Sequence, residues 1–171
     1  SVTVTDPANG CSASASTSVT QNIINRDVSI APPAPLTCLA ASVTLSASSS
    51  VTGVSYDWGG GITTATNAVA SAGNYSVTVT DPANGCSASA SVAVTQNIIN
   101  PDVAIAPPAQ LTCLITSVTL SASSSVTGAT YDWGGGITTA TNAVSAAGNY
   151  SVTVTDPANG CSASASVAVT Q

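Results

Sequence analysis

The chain contains no His, Lys, Glu, Met or Phe, and its 171 residues carry only seven Asp and the single Arg26. We exclude nucleic-acid binding because neutralising phosphates requires the Lys and Arg side chains that are missing. We do not expect an enzyme either, since a Ser or Thr nucleophile needs a base and only isolated Asp residues remain. The composition therefore favours a structural or binding protein that works without a cofactor.

Other absences exclude membrane insertion and a zinc site, and they argue against calcium. No apolar run approaches the roughly 20 residues that a transmembrane helix needs. The cysteines occur singly, without His or a C-x-x-C pair, so they do not form a zinc site. Asp57, Asp81 and Asp102 offer hard oxygen ligands for calcium, but they are scattered singly, whereas a tight calcium site clusters several carboxylates. We therefore expect no metal.

The sequence is a tandem repeat. Residues 97–171 repeat residues 22–96 with nine changes, and residues 1–21 reproduce 76–96 with two changes. We expect two full domains, 22–96 and 97–171, preceded at 1–21 by the C-terminal hairpin of a truncated repeat, because a unit of this length suffices for a separate core. The connectors are predicted at 21–27 and 96–102, where two isoleucines, Ile98 and Ile99, either pack between domains or merely flank strands.

Apolar side chains alternate with a period of two, as at Val43 and Leu45 or at Val77 and Val79. This period is typical of half-buried antiparallel strands, and no helical stripe competes with it. We predict an all-β fold of tandem Ig-like β-sandwiches with about six or seven strands and one disulfide per domain.

The clearest local element is a β-hairpin over 74–95, whose turn combines Pro, Asn and Gly, the residues that tight turns favour. Each repeat also carries one Trp and two Tyr. The predicted turn residues are Asp81, Pro82, Asn84, Gly85, Asp156, Pro157, Asn159 and Gly160, and the predicted aromatic core residues are Trp58, Tyr75, Trp133 and Tyr150.

The five cysteines alternate between a shorter and a longer separation along the chain. We predict that the longer one joins partners, so that Cys38 pairs with Cys86 and Cys113 with Cys161, which would link each repeat to itself, and that Cys11 pairs with a cysteine upstream of the fragment. The alternative, Cys86 with Cys113, would join neighbouring repeats. Structural disulfides imply an oxidising compartment, so we expect an extracellular or cell-surface protein.

Several segments of one repeat carry a resemblance to a known group of proteins. These are LTC at 36–38, SVTL at 42–45, YDW at 56–58, GNYSVTVTD at 73–81, NGC at 84–86 and SVAVTQ at 91–96. With them the chain resembles the tandem Ig-like and PKD-like repeats of large Bacteroidota surface proteins, including gliding-adhesin repeats. The resemblance implies Ig-like sandwiches that serve as spacers or stalks. It also suggests that Tyr75 forms a tyrosine corner, although Val77 stands where the antibody-type pattern has Cys, which would move the disulfide to one end of the sandwich.

The sequence thus predicts a structural repeat of a long extracellular fibre or adhesin stalk, whose partners are other copies of the repeat in the same or neighbouring chains. One alternative is a module that binds a surface or glycan by avidity through loops such as 58–61, and an exposed Trp58 would favour it. Another is a pilin-like subunit that polymerises by exchanging an edge strand.

Overall fold

A computed structural model describes residues 1–22 and 27–171, and the regular secondary structure of this part consists of strands. The first predicted connector, 21–27, falls largely on residues 23–26 and lies outside the described residues. The strands are β1 (Val2–Thr5), β2 (Ser12–Ala15), β3 (Ser29–Ile30), β4 (Leu36–Thr37), β5 (Val43–Ser48), β6 (Ser55–Asp57), β7 (Thr66–Val69), β8 (Gly73–Thr80), β9 (Ser87–Val94), β10 (Gln96–Asn97), β11 (Ala104–Ile105), β12 (Val118–Ser123), β13 (Thr130–Asp132), β14 (Thr141–Val144), β15 (Gly148–Thr155) and β16 (Ser162–Val169).

Strands β3 to β9 and β11 to β16 build two sandwiches with the same topology. In the first, one sheet has the order β3-β5-β7 and the other β6-β8-β9; in the second, the corresponding orders are β11-β12-β14 and β13-β15-β16. This is the ABE and CFG arrangement of an immunoglobulin domain without its strand D. The prediction of an all-β fold made of tandem Ig-like sandwiches is therefore confirmed, with six strands in the two sheets of each.

The alternating sequence explains how the long hairpin β8-β9 divides its two faces. Its inward residues pair across the strands as Tyr75 with Val92 and Val77 with Ala90, and Val77 is fully buried. On the outward face, the hydroxyls of Thr78 and Ser89 lie 2.9 Å apart. The period of two thus places apolar groups against the other sheet and hydroxyls toward water, in a chain almost without charge.

Each sandwich has its own small core. Buried aliphatic residues from both sheets meet there, and an aromatic pair, half-buried, packs against them. The first core contains Leu36, Leu45, Val69 and Val94 with Trp58 and Tyr75, and the second contains Leu111, Val118, Leu120, Val144 and Val169 with Trp133 and Tyr150.

The short strands β4 and β10 determine where the first repeat ends. They pair in parallel, with Gln96 opposite Leu36 and Asn97 opposite Thr37, and the Leu36 amide donates to the Thr95 carbonyl over 2.9 Å. The segment that follows β4 therefore lies beside the connector into the next repeat. By contrast, β1 and β2 pair only with each other in the described chain, and all their residues are exposed.

Candidate functional site: the junction between repeats

A disulfide joins the two repeats. It links Cys38, just after β4, to Cys161, just before β16, with the Cα atoms 5.1 Å apart. The two cysteines are separated by 123 residues, and Cys11, Cys86 and Cys113 are free. The predicted bridges Cys38–Cys86 and Cys113–Cys161 are absent from the structure, and so is the alternative between Cys86 and Cys113.

The parallel pairing of β4 with β10 explains why Cys38 does not reach Cys86. Cys38 follows Thr37, which lies opposite Asn97 beyond the end of β9, whereas Cys86 precedes the start of β9. A strand as long as β9 spans roughly 26 Å at about 3.3 Å per residue. A disulfide tolerates a Cα separation of only about 7 Å, so the two cysteines lie at opposite ends of the sandwich, and Cys38 faces the next repeat instead.

The turn that carries Cys161 is built from the predicted turn residues. The Asp156 carbonyl accepts from the Gly160 amide over 2.8 Å, and the Asp156 carboxylate accepts from the Ala158 amide over 2.8 Å. The Asn159 side-chain oxygen accepts from the Cys161 amide, also over 2.8 Å. The turn over 81–86 of the first repeat has the corresponding bonds at 2.8 to 2.9 Å. This turn is therefore a preformed part of each repeat.

Leu39 of the first repeat contacts this turn of the second. Its amide donates to the Asn159 carbonyl over 3.3 Å. Its side chain lies against Gly160, where an added methyl group would overlap it, and Gly160 also has a φ of +71°. The backbone conformation thus favours glycine at this position, and a larger residue would also have to displace the Leu39 side chain.

Asn159 fixes the connector to the same turn. Its side-chain nitrogen donates to the Asn97 side-chain oxygen over 3.1 Å and to the Ile99 carbonyl over 3.0 Å, and the residue is only 1% exposed. The side chains of Ile98 and Ile99 are 51% and 77% exposed, so the connector contributes a backbone carbonyl rather than an apolar contact. Pairing with β4 positions Asn97. The hydrogen bonds between Asn159 and the connector therefore depend on the preceding repeat.

Sequence reasoning did not single out Leu39 or Asn97 for this site. Leu39 belongs to no alternating apolar pattern that would predict a contact, and in the structure it remains 77% exposed. Asn97 is one of several Asn residues in polar segments. The sequence pointed only to the turn residues and the cysteines, and it did not determine which cysteine bonds to which.

The aromatic residues that the sequence placed in the core have satisfied polar atoms. The Trp58 indole nitrogen donates to the Thr64 carbonyl over 3.0 Å, and that of Trp133 donates to Thr139 over 3.1 Å. The Tyr75 hydroxyl donates to the Ser71 carbonyl, four residues earlier, over 2.9 Å, which is the geometry of a tyrosine corner. These groups hold the fold together and do not form an open binding surface.

One carboxylate closes a loop within each sandwich, Asp27 in the first and Asp102 in the second. Both oxygens of Asp27 accept from the Ser50 amide over 3.1 Å, and the Ser50 hydroxyl donates over 2.7 Å. These bonds hold the pKa of Asp27 below its ordinary value, and the bond from the Ser50 hydroxyl contributes most. The corresponding bonds from Ser125 lower the pKa of Asp102. Within 1–22 and 27–171, no three potential metal-ligating side chains come together.

No family model matches the sequence, and no curated protein matches it. Among solved structures, the three N-terminal domains of the Highly Immunogenic Outer Capsid protein (Hoc) of bacteriophage RB49 are 19% identical with a TM-score of 0.41, over 85% of this chain and 58% of that one. The titin domains Z1Z2, in complex with telethonin, are 12% identical with a TM-score of 0.27, over 84% of this chain and 96% of that one. The chain thus spans little more than half of the Hoc structure, and likenesses this low carry no functional argument. No helix in the described part is both long and apolar enough to span a membrane.

Proposed function

We propose that this chain is a structural module of a long extracellular fibre or stalk, in which a disulfide across each junction locks consecutive Ig-like repeats at a fixed angle. The observation that carries the proposal is the bridge from Cys38 to Cys161, because it joins one repeat to the next. A bridge within a repeat would stabilise that repeat alone. A bridge across the junction adds control of the angle between repeats.

Two covalent connections hold the junction. One is the chain itself, whose residues Gln96 and Asn97 pair with β4. The other is the disulfide, which joins the loop after β4 to the far turn of the next sandwich. Rotation about a single connector is cheap, whereas rotation about two separate connections, with the Leu39 and Asn159 hydrogen bonds between them, strains covalent geometry. The repeats therefore add length without free hinges.

The composition and the cysteine bridge support the extracellular setting. A structural disulfide is stable in an oxidising compartment. The chain has no Lys and only Arg26, so a protease that cleaves after basic residues finds a single site. The resemblance to repeats of bacterial surface proteins agrees with such a location.

The glycan-binding alternative receives no support from Trp58. Its indole nitrogen is bonded to Thr64, and its ring packs against the core of the first sandwich. A stacking platform for sugars needs an open aromatic face. The fibre proposal therefore remains the better one.

Small-angle X-ray scattering tests the lock on the oxidised chain and on two matched variants. The parent and Cys113→Ser should give scattering profiles that fit a single arrangement of the two sandwiches, because Cys113 forms no bridge in this chain. Cys38→Ser should give a broader distribution of interdomain distances, as should the parent in reductant. Identical profiles for Cys38→Ser and the oxidised parent would refute the proposal.

A further inference from the structure

An Asn-Gly pair stands at the centre of the junction, and such a pair is chemically reactive. The backbone nitrogen of a residue can attack the side-chain carbonyl carbon of the Asn before it, and a following Gly hinders that attack least because it has no Cβ. The pair occurs at 9–10, 84–85 and 159–160, each time in the turn of the repeated hairpin. Of the three, Asn159 and Gly160 lie in the turn that the connector and the loop after β4 contact.

The reaction of this pair needs only water. The Gly nitrogen bonds to the Asn Cγ, the bond between Cγ and the side-chain nitrogen breaks, and ammonia leaves with the proton of the Gly amide. Water then opens the resulting cyclic imide at either carbonyl, which gives Asp or its isomer isoaspartate. No electrons are transferred, and hydroxide speeds ring closure by removing the proton of the Gly amide. A neutral side chain thereby becomes a carboxylate without an enzyme.

The junction holds the Asn159 side chain away from this reaction. Its nitrogen, which is the leaving group, donates to the Asn97 side-chain oxygen over 3.1 Å and to the Ile99 carbonyl over 3.0 Å. Its oxygen accepts from the Cys161 amide over 2.8 Å, and only 1% of the residue is exposed. Rotation of the side chain toward the backbone nitrogen of the next residue breaks the two bonds to the connector. Ring closure therefore requires the junction to open first.

The attacking group is also engaged. The Gly160 amide donates to the Asp156 carbonyl over 2.8 Å, and the Leu39 side chain lies against Gly160. The bond to Asp156 also occurs in the exposed copy of the turn, where the Gly10 amide donates to the Asp6 carbonyl over 2.8 Å. The contacts of Leu39 and of the connector are therefore what distinguish the turn at the junction from that copy.

The product of the reaction does not fit the closed junction. A carboxylate at position 159 only accepts hydrogen bonds, but the Ile99 carbonyl that faces the Asn159 nitrogen is also an acceptor. The chain contains no Lys or His and a single Arg, and burying a charge without a partner is costly. The isoaspartate form also adds a carbon atom to the backbone beside the disulfide. Conversion of Asn159 therefore weakens the junction.

We propose that Asn159 is a site of spontaneous deamidation that the state of the junction controls. While the junction is closed, Asn159 stays an amide. When the junction opens, for instance after reduction of the bond between Cys38 and Cys161, Asn159 reacts, and the carboxylate prevents its contacts from forming again. A prolonged opening thus becomes permanent. This control depends on the junction of the proposed function, but the two fail separately, because flexibility is measured by scattering and conversion by mass.

Ageing of the oxidised chain at mildly alkaline pH measures the protection. After reduction, cleavage before the Asp residues of the sequence places Asn9 and Asn159 in the separate peptides 6–26 and 156–171, and mass spectrometry gives the deamidated fraction of each. Asn159 should convert at least roughly tenfold more slowly than the exposed Asn9, since two hydrogen bonds to the connector must break first. Equal rates would overturn the proposal.

Variants of the junction test whether the preceding repeat provides the protection. Asn97→Ala removes one acceptor of the Asn159 nitrogen and should speed the conversion of Asn159 roughly fivefold, the effect of one hydrogen bond on the opening equilibrium. Asn22→Ala changes the equivalent residue of the other repeat, which is also exposed, and should leave the rate unchanged. Cys38→Ser should likewise speed the conversion, and Cys113→Ser should not. Equal rates within both pairs would show that the turn protects itself, which refutes control by the junction.

A mimic of the product tests the second step. Asn159→Asp should lower the dithiothreitol concentration at which half of the bridges between Cys38 and Cys161 are reduced by roughly tenfold, because the contacts that hold the two sulfurs together are weakened. Asn84→Asp, in the copy of the turn whose Cys86 is free, is the matched control and should leave this concentration unchanged. Equal values for the two variants would show that the closed junction tolerates the carboxylate, and would refute a permanent opening.

Discussion

The bridge between repeats should determine how far the chain extends under load. A pull on the two termini passes from Cys38 directly to Cys161, so the segment 39–160 carries no covalent tension. Only the segments 1–38 and 161–171 can straighten. At about 3.5 Å per extended residue, the oxidised chain should reach roughly 170 Å, and breaking the bridge should release roughly 430 Å more. Single-molecule force spectroscopy on the full chain measures both lengths.

Two variants at equivalent positions of the repeat make this measurement decisive. Cys38→Ser should show the long extension even without reductant, and Cys113→Ser should keep the short one, because only Cys38 is bonded here. Bridges within each repeat would instead protect two shorter segments from the pulling force, and both variants would then lengthen the chain. The reasoning is refuted if Cys113→Ser lengthens the chain as much as Cys38→Ser, or if neither variant does.

Three further predictions concern stability, each with a matched comparison. Asn159→Ala should lower the free energy of unfolding by about 2 kcal/mol and Asn84→Ala by about half that, since only Asn159 uses its side-chain nitrogen; chemical denaturation measures both. Gly160→Ala and Gly85→Ala should each cost about 1 to 2 kcal/mol, because both glycines have positive φ, and Gly160→Ala should cost the more of the two, since it also displaces the Leu39 side chain; thermal unfolding compares them. The folded pKa of Asp102 lies below its unfolded value. Its contribution to folding stability is therefore present above about pH 4 and is lost as the pH falls through the folded pKa. Asp102→Asn should consequently make the melting temperature depend less on pH between about pH 6 and 2.

The architecture of a single repeat could be predicted from its sequence because it rests on local patterns. The alternation through Val77 and Val79 permits only one orientation of the strand, in which its apolar face packs against the other sheet. The run from Asp81 to Gly85 combines residues that each favour a turn for a separate reason. The parallel pairing of β4 with β10 had no such signal, since it involves two residues on each side and no repeated pattern.

The disulfide could not be predicted because a near-perfect repeat makes several pairings equivalent. The longer of the two cysteine spacings joins Cys38 to Cys86, and adding one full repeat to it gives the separation of 123 that joins Cys38 to Cys161. Both pairings are compatible with a strict repeat, so cysteine spacing alone gives no physical reason to choose between them. The choice is made by which end of the sandwich the loop after β4 occupies, and that depends on the pairing of β4 with β10.

The pairing across repeats also changes what a free cysteine means in this chain. With bridges inside repeats, Cys86 and Cys113 would be two halves of separate internal bonds, and each repeat would be closed. In the observed junction, by contrast, the first repeat contributes its first cysteine and the second repeat its second. Cys86 and Cys113 occupy the positions equivalent to Cys161 and Cys38 in the other repeat. Covalent continuity thus belongs to the array of repeats rather than to any one of them, which is why the sequence of a single repeat does not reveal it.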